Sequence, residues 1–183
     1  MAMPMALPRY TVDDLREFPE DGNRYELLDG FLLVTPAPNY AHQVVATELA
    51  ASLVQYVGTS GQARVAAIGE IERAPDTLLQ PDILVVPASY PITMHWRKLA
   101  GWWLAVEVLS RSSRVYDQQF KRNAYLALGV REVWLVDLDA RCVLASRREG
   151  PIDQRIRDTL RWHPPEQPEP LELDLARLFR GLE

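Results

Sequence analysis

The sequence predicts a mixed α/β (α+β) fold: a mixed central β-sheet flanked by helices, with an N-terminal β-hairpin. Three observations carry this. Apolar runs such as Ile83-Leu84-Val85-Val86 and Trp102 to Val106 have the length of strands, and none reaches a membrane span. Two longer stretches repeat apolar residues every three or four positions, the period of a helix. From Ala63 onward the order reads strand, strand, strand, helix, strand, strand, with a helix before it, which packs one helix on each side of a small sheet. The 183 residues fit a single domain, 1–183, with an N-terminal arm (1–23) and, at the other end, a Pro-rich linker and helical tail (163–183).

The elements follow in order. Thr11 caps a short helix whose first turn holds Asp13 and Asp14. In the hairpin, Tyr25, Leu27 and Leu28 lead into the two-residue turn Asp29-Gly30, and Phe31 to Val34 return. After a loop over 35–39, Val45, Leu49, Leu53 and Tyr56/Val57 form the apolar stripe of a helix from His42 to Val57, ended by Gly58 and Gly61. Strands are expected over Ala63 to Arg73 and Leu78 to Val86, punctuated by Pro75 and Pro87. Residues 91–101 form an irregular excursion, and Trp103 to Leu109 is an apolar strand holding one acid, Glu107. Ser112 or Ser113 caps a helix to Leu128, with Phe120, Ala124 and Leu128 on its buried face and Gly129 as its stop. Val130 to Val136 and Cys142 to Arg147 are strands joined by a turn at 137–140. Four prolines lie within 163–170, and Asp174 caps a last helical turn through Phe179.

Composition excludes several classes. Hydrophobic residues at 48% and charged ones at 25% rule out disordered, collagen-like and coiled-coil chains. With Cys142 as the sole cysteine there is no intrachain disulfide and no cysteine-rich zinc site. Residues 1–8 lack a basic start and a long apolar stretch, so a signal peptide is not expected; the expected location is cytoplasmic, with no membrane partner. The net charge of -5 averages two regions. Residues 97–161 carry 13 basic and 8 acidic side chains, and the remainder 7 and 17. Such polarity lets an acidic molecule present a basic face to phosphate. Of the 20 basic residues only two are lysines, Lys98 and Lys121.

Two carboxylates stand where a purely structural account struggles. Asp82 opens one apolar strand and Glu107 interrupts another; an unpaired carboxylate there costs several kcal/mol or shifts its pKa. If the strands are neighbours, both acids converge at one end of the sheet and repel unless a cation or shared proton intervenes. Mg²⁺ takes one or two carboxylates plus phosphate oxygens, the combination of a phosphodiester-cleaving site. Lys121 follows on the next helix, with Asp117 four residues before it and Tyr125 four after, on one face. Its ammonium can orient or deprotonate the attacking water, or stabilise charge on the phosphate.

The Asp82, Glu107 and Lys121 arrangement resembles the PD-(D/E)XK nuclease superfamily. More closely, it resembles a bacterial family of small single-domain restriction-endonuclease-like proteins. The matching stretches are 24–30 (Arg-Tyr-Glu-Leu-Leu-Asp-Gly), His42 at the start of the first long helix, Gln80-Pro81-Asp82-Ile83, and Val106-Glu107-Val108-Leu109-Ser110. They continue with Asp117, Lys121, Tyr125, Gly129-Val130, Glu132, Trp134 and Asp137. The resemblance implies a restriction-endonuclease-like core, a divalent metal (Mg²⁺, with Mn²⁺ as substitute) and cleavage of nucleic acid. Asp82 and Glu107 match the metal-binding acids, and Glu26 matches an acid near the family's start that serves as a further ligand. The superfamily lysine belongs two residues after the glutamate, where this chain has Leu109; Lys121 is the migrated replacement. Arg111 stands where proline is expected after the Glu-Val-Leu-Ser run.

The functional expectation is a Mg²⁺-dependent endonuclease acting on DNA as a homodimer, with Asp117, His42 and Tyr125 in support and Arg111, Arg114 and Arg122 on the nucleic acid. The alternatives are a nuclease-fold module that binds nucleic acid or protein without cutting, and a two-carboxylate glycoside hydrolase.

Overall fold

The computed structural model describes residues 7–110 and 116–182. In chain order its elements are α1 (Val12–Leu15), β1 (Arg24–Leu28), β2 (Phe31–Thr35), α2 (Tyr40–Gly58), β3 (Ala63–Ala67), β4 (Ile71–Arg73), β5 (Thr77–Leu79), β6 (Ile83–Pro87), β7 (Leu104–Leu109), α3 (Arg122–Leu128), β8 (Glu132–Asp137), β9 (Cys142–Arg147), β10 (Gln154–Ile156), β11 (Thr159–Trp162), β12 (Leu171–Asp174) and α4 (Leu175–Leu178).

Six strands form the central sheet in the order β10-β9-β8-β7-β6-β3. Neighbours run antiparallel except β7 and β8, which are parallel because α3 lies between them in the chain. The period-2 alternation of β7 divides its side chains between two cores. Leu104, Val106 and Val108 meet Val45, Leu49, Leu53 and Val57 of α2 on one face. Ala105 and Leu109 face the other way, with Tyr125 of α3 and Val130. The expected helix on each side of a mixed sheet is therefore present.

Two of the expected strands are each two strands. Ala63 to Arg73 divides into β3 and β4, and Leu78 to Val86 into β5 and β6; β4 and β5 leave the large sheet for a second one, ordered β2-β1-β5-β4. The break has local causes. Ile68 takes a left-handed φ of 64°. At Gly69 a Cβ would lie 2.4 Å from that of Leu84, so only glycine allows the backbone this close. The Ile68 and Gly69 N–H groups donate to Asp82 O and Pro81 O at 2.7 and 2.9 Å, and Pro81 has no N–H to carry the ladder onward. Asp82 thus sits at the seam between the sheets. The hairpin is as expected. Leu28 pairs with Phe31, and the intervening Asp29 and Gly30 have φ of 48° and 77°, the positive values that a tight two-residue turn requires.

Helix α2 begins two residues before the expected start, at an Asn39 cap whose side chain accepts from His42 N at 2.9 Å. The expected cap at Ser112 or Ser113 lies outside the described residues. Before α3, Asp117–Lys121 form a π-helical turn, with Arg122 N–H donating to Asp117 O five residues back. Phe120 is 51% exposed and stacks on Tyr116, which corrects its expected burial. The inward face is instead Asp117, Lys121 and Tyr125. This face packs over Glu107, so polar groups are needed there to satisfy the carboxylate.

The stretch 163–170 connects β11 to β12, which pair antiparallel, and is bonded to α2 and the turn after it: Gln167 donates to Ser60 Oγ at 2.7 Å and Tyr56 Oη to Glu169 O at 2.7 Å. Trp162, Leu171, Leu175 and Phe179 join the same core as α2. Strands β10, β11 and β12 are too short to register as periodic patterns. No helix among the described residues is long and apolar enough to cross a membrane.

Candidate functional site

A cavity of about 550 Å³ opens beside the C-terminal end of β7. The loop 35–39 and His42 form one wall, Leu138, Asp139 and Leu182 another, and Asp82, Glu107, Asp117 and Lys121 line it together with Arg24. The fold brings these groups together from both sheets. Asp82 precedes β6 at the seam, Glu107 stands on the α3 side of β7, and Lys121 and Asp117 come from the π-helical turn.

Asp82 is buried, and each oxygen is engaged. Arg24 donates to Oδ1 at 3.0 Å, Val108 N donates to Oδ2 at 2.8 Å, and His42 Nε2 lies 3.1 Å from Oδ2. Burial by itself would raise the carboxyl pKa. The His42 contact, Arg24 and the Val108 N–H outweigh it and hold Asp82 below the ordinary aspartate value.

Glu107 lies at the opposite extreme. Burial pushes its carboxyl well above the ordinary range; Lys121 opposes this, while Asp82, Asp117 and Glu26 add to it. Its Oε1 accepts from Lys121 Nζ at 3.2 Å and from Tyr125 Oη at 2.5 Å, whereas Oε2 carries no hydrogen bond among the described residues. Tyr125, expected in support, is thus a direct donor to the acid, and burial beside Glu107 and Glu26 raises its own phenol pKa.

Lys121 is enclosed by carboxylates, with Nζ 2.6 Å from Glu26, 3.2 Å from Glu107 and 3.6 Å from Asp117. Burial alone would lower its pKa, but the three acids hold it above the ordinary lysine value. Lys121 is therefore a fixed cation at neutral pH.

Glu26 is reached by the expected constellation but sits behind it. It is fully buried, does not line the cavity, and spends its oxygens on Gln80 N at 2.7 Å and on Lys121. The ammonium stands between Glu26 and Glu107. Among the described residues no group of three or more His, Cys, Asp or Glu side chains is disposed to hold a metal, so Asp82, Glu107 and Glu26 do not form a three-acid cage. Arg122 bonds Asp153 and Asn123 and does not line the cavity. Arg111 and Arg114 lie outside the described residues.

Sequence reasoning missed two contributors. Arg24 opens a hairpin strand, where a solvated side chain is the default, and only the junction of the sheets carries it to Asp82. Tyr116 lies close enough to the acids that burial and the Glu26 charge raise its pKa. No local pattern announces either role.

A family model described as "Uma2: Putative restriction endonuclease" matches residues 12–181. Among solved structures, the crystal structure of "a putative nuclease belonging to DUF820" from Anabaena variabilis ATCC 29413 superposes with a TM-score of 0.76 at 22% sequence identity, over 94% of this chain and 99% of that one. At that identity the likeness carries the fold alone. No curated protein matches the chain.

Proposed function

The chain belongs to the Uma2 family of restriction-endonuclease description, and from that premise we propose that it is a divalent-metal-dependent endonuclease that hydrolyses phosphodiester bonds of DNA. The observation that carries this reading is the Lys121 ammonium held 3.2 Å from Glu107 in a cavity also lined by Asp82.

The residues fit a divalent cation held by two acids. Both acids line the cavity, and Glu107 Oε2 carries no hydrogen bond among the described residues. Asp82 and Glu107 would hold Mg²⁺ or Mn²⁺, with the other positions left to water and substrate oxygens. When bound, the ion lowers the pKa of water and stabilises charge on phosphate oxygens. Glu26 belongs to this scheme as the group that fixes Lys121.

The side chains divide the remaining work. Because Lys121 stays protonated, it serves as a positioned donor to the attacking water or the phosphate oxygens, not as a base. Tyr125 fixes the Glu107 carboxylate, and His42 and Arg24 fix that of Asp82. The reading includes a cytoplasmic location, a single domain and a homodimer, since cutting both strands of a duplex suits two sites related by a two-fold axis. Sedimentation of the protein at about twice 20.8 kDa would support the dimer.

The test is conversion of supercoiled plasmid. Wild-type protein is expected to nick it with Mg²⁺ or Mn²⁺ and not with chelator. Asp82→Asn and Glu107→Gln should fold, as judged by circular dichroism, and fail to cut. Wild-type protein that cuts neither DNA nor RNA with either metal overturns the proposal.

A further inference from the structure

We infer that the groove between β9, β10 and β11 is a second binding site, a track for the phosphodiester backbone of nucleic acid flanking the bond to be cut. This rests on the nuclease reading above. The groove, of about 390 Å³, is lined by Arg147, Arg155, Arg157, Arg161 and Asp158 among others. Its arginines come from separate segments: Arg147 ends β9, Arg155 lies in β10, Arg157 follows β10, and Arg161 lies in β11.

Two of the four are committed elsewhere and two are not. Arg147 pairs with Glu132 and Arg161 with Glu172, each at 2.9 Å. Arg155 and Arg157 are exposed and make no ion pair among the described residues; Arg157 makes one bond, to the neutral Ala140 carbonyl at 3.3 Å. Even counting Asp158, Glu132 and Glu172 against the four guanidinium groups, a positive excess remains. Such planar forks match phosphate oxygens in pairs.

The groove also leads from the catalytic cavity. Ala140 belongs to the β8–β9 turn, whose Leu138 and Asp139 line that cavity. From this turn β9 and β10 run antiparallel, with Ile156 opposite Val143 near the cavity and Gln154 opposite Ala145 farther away. Strand β9 spans roughly 20 Å, or about six phosphate spacings of one strand. Charge on an outermost strand also deters edge-to-edge pairing, but that purpose needs charges on β10 alone. Here arginines of neighbouring segments converge on one concavity.

The experiment measures binding of labelled duplexes by fluorescence anisotropy in chelator, across a salt series. For Arg155→Glu/Arg157→Glu, affinity for a duplex of about 30 bp should fall about tenfold or more, and the slope of log K against log salt should become shallower by about 2. Arg97→Glu/Lys98→Glu makes the same charge change on a turn that lines neither the cavity nor the groove, and should leave the slope unchanged. Metal-dependent cutting of a duplex of about 8 bp, which centred on the cut reaches only about 14 Å to either side and covers part of the groove, should be less affected by Arg155→Glu/Arg157→Glu than cutting of the longer duplex. Equal slopes for the two double variants overturn the inference while the nuclease reading stands. Equal affinity of the wild type for the short and long duplexes overturns it too. Wild-type protein that binds no nucleic acid overturns both.

Discussion

Lys121 and Glu107 depend on each other. Removing the ammonium by Lys121→Met leaves Glu26, Glu107 and Asp117 buried together without their shared cation. A loss of about 3–5 kcal/mol is expected at neutral pH, and acidification should restore part of it by protonating the acids. Urea unfolding at several pH values checks this. Glu107→Gln should act in the opposite sense. The native pKa of Glu107 is raised above its ordinary 4.5, so above pH 4.5 the folded protein retains a proton that the unfolded chain has released. Stability therefore falls as pH climbs from 4.5 toward the raised native value. In chelator, Glu107→Gln should flatten that fall and gain about 1 kcal/mol at pH 7, while activity is lost. A variant whose pH profile is as steep as that of the wild type would contradict the assignment. Asp82 has the reverse sign: its native pKa is lowered, so its contribution is present above 3.8 and fades as pH falls through the lower native value.

At the level of elements, the seam between the sheets decides where Asp82 lies. Gly69→Ala places a methyl 2.4 Å from the Leu84 Cβ, and the nearby Leu84 Cδ2 would be at 2.9 Å. Overpacking of this kind costs about 1–3 kcal/mol or more. Because it displaces the turn against which Asp82 is set, cutting should weaken with it. Leu84→Gly, in the same core, removes that Cβ, so the double variant should be more stable than the summed losses predict. Additive losses in urea unfolding would show that the contact does not set the seam. The hairpin was legible from Asp29-Gly30 and α2 from its stripe, because turn chemistry and helical period are local. The breaks at 68–69 and 80–82 were not. Each lies inside an otherwise apolar run, and which sheet a strand joins depends on partners distant in the chain.

For the whole molecule, the C-terminal segment belongs energetically to the body. Trp162, Leu171, Leu175 and Phe179 share a core with α2, so urea unfolding should show one transition, with tryptophan fluorescence and far-ultraviolet circular dichroism coinciding. Two separated transitions would instead make 163–183 an independent tail. The proposed metal binding would also be a property of the whole. An ion that binds the native site alone stabilises it by about 2.7 kcal/mol at a hundredfold excess over its Kd. Mn²⁺ should accordingly raise the wild-type Tm and leave that of Asp82→Asn unchanged.

The sequence by itself determined the class of fold, the helix on each face and the hairpin, and it singled out Asp82, Glu107 and Lys121 as candidates, because composition, period and isolated charges in apolar runs are properties of nearest neighbours along the chain. Tertiary structure alone decided that Glu26 serves the lysine, that Arg24 and His42 hold Asp82, that Tyr125 donates to Glu107 and that Arg122 turns toward Asp153. Those partners are brought together by sheet order and by the π-helical turn. A buried charge is settled by whatever the fold places within hydrogen-bond distance, not by what stands beside it in sequence.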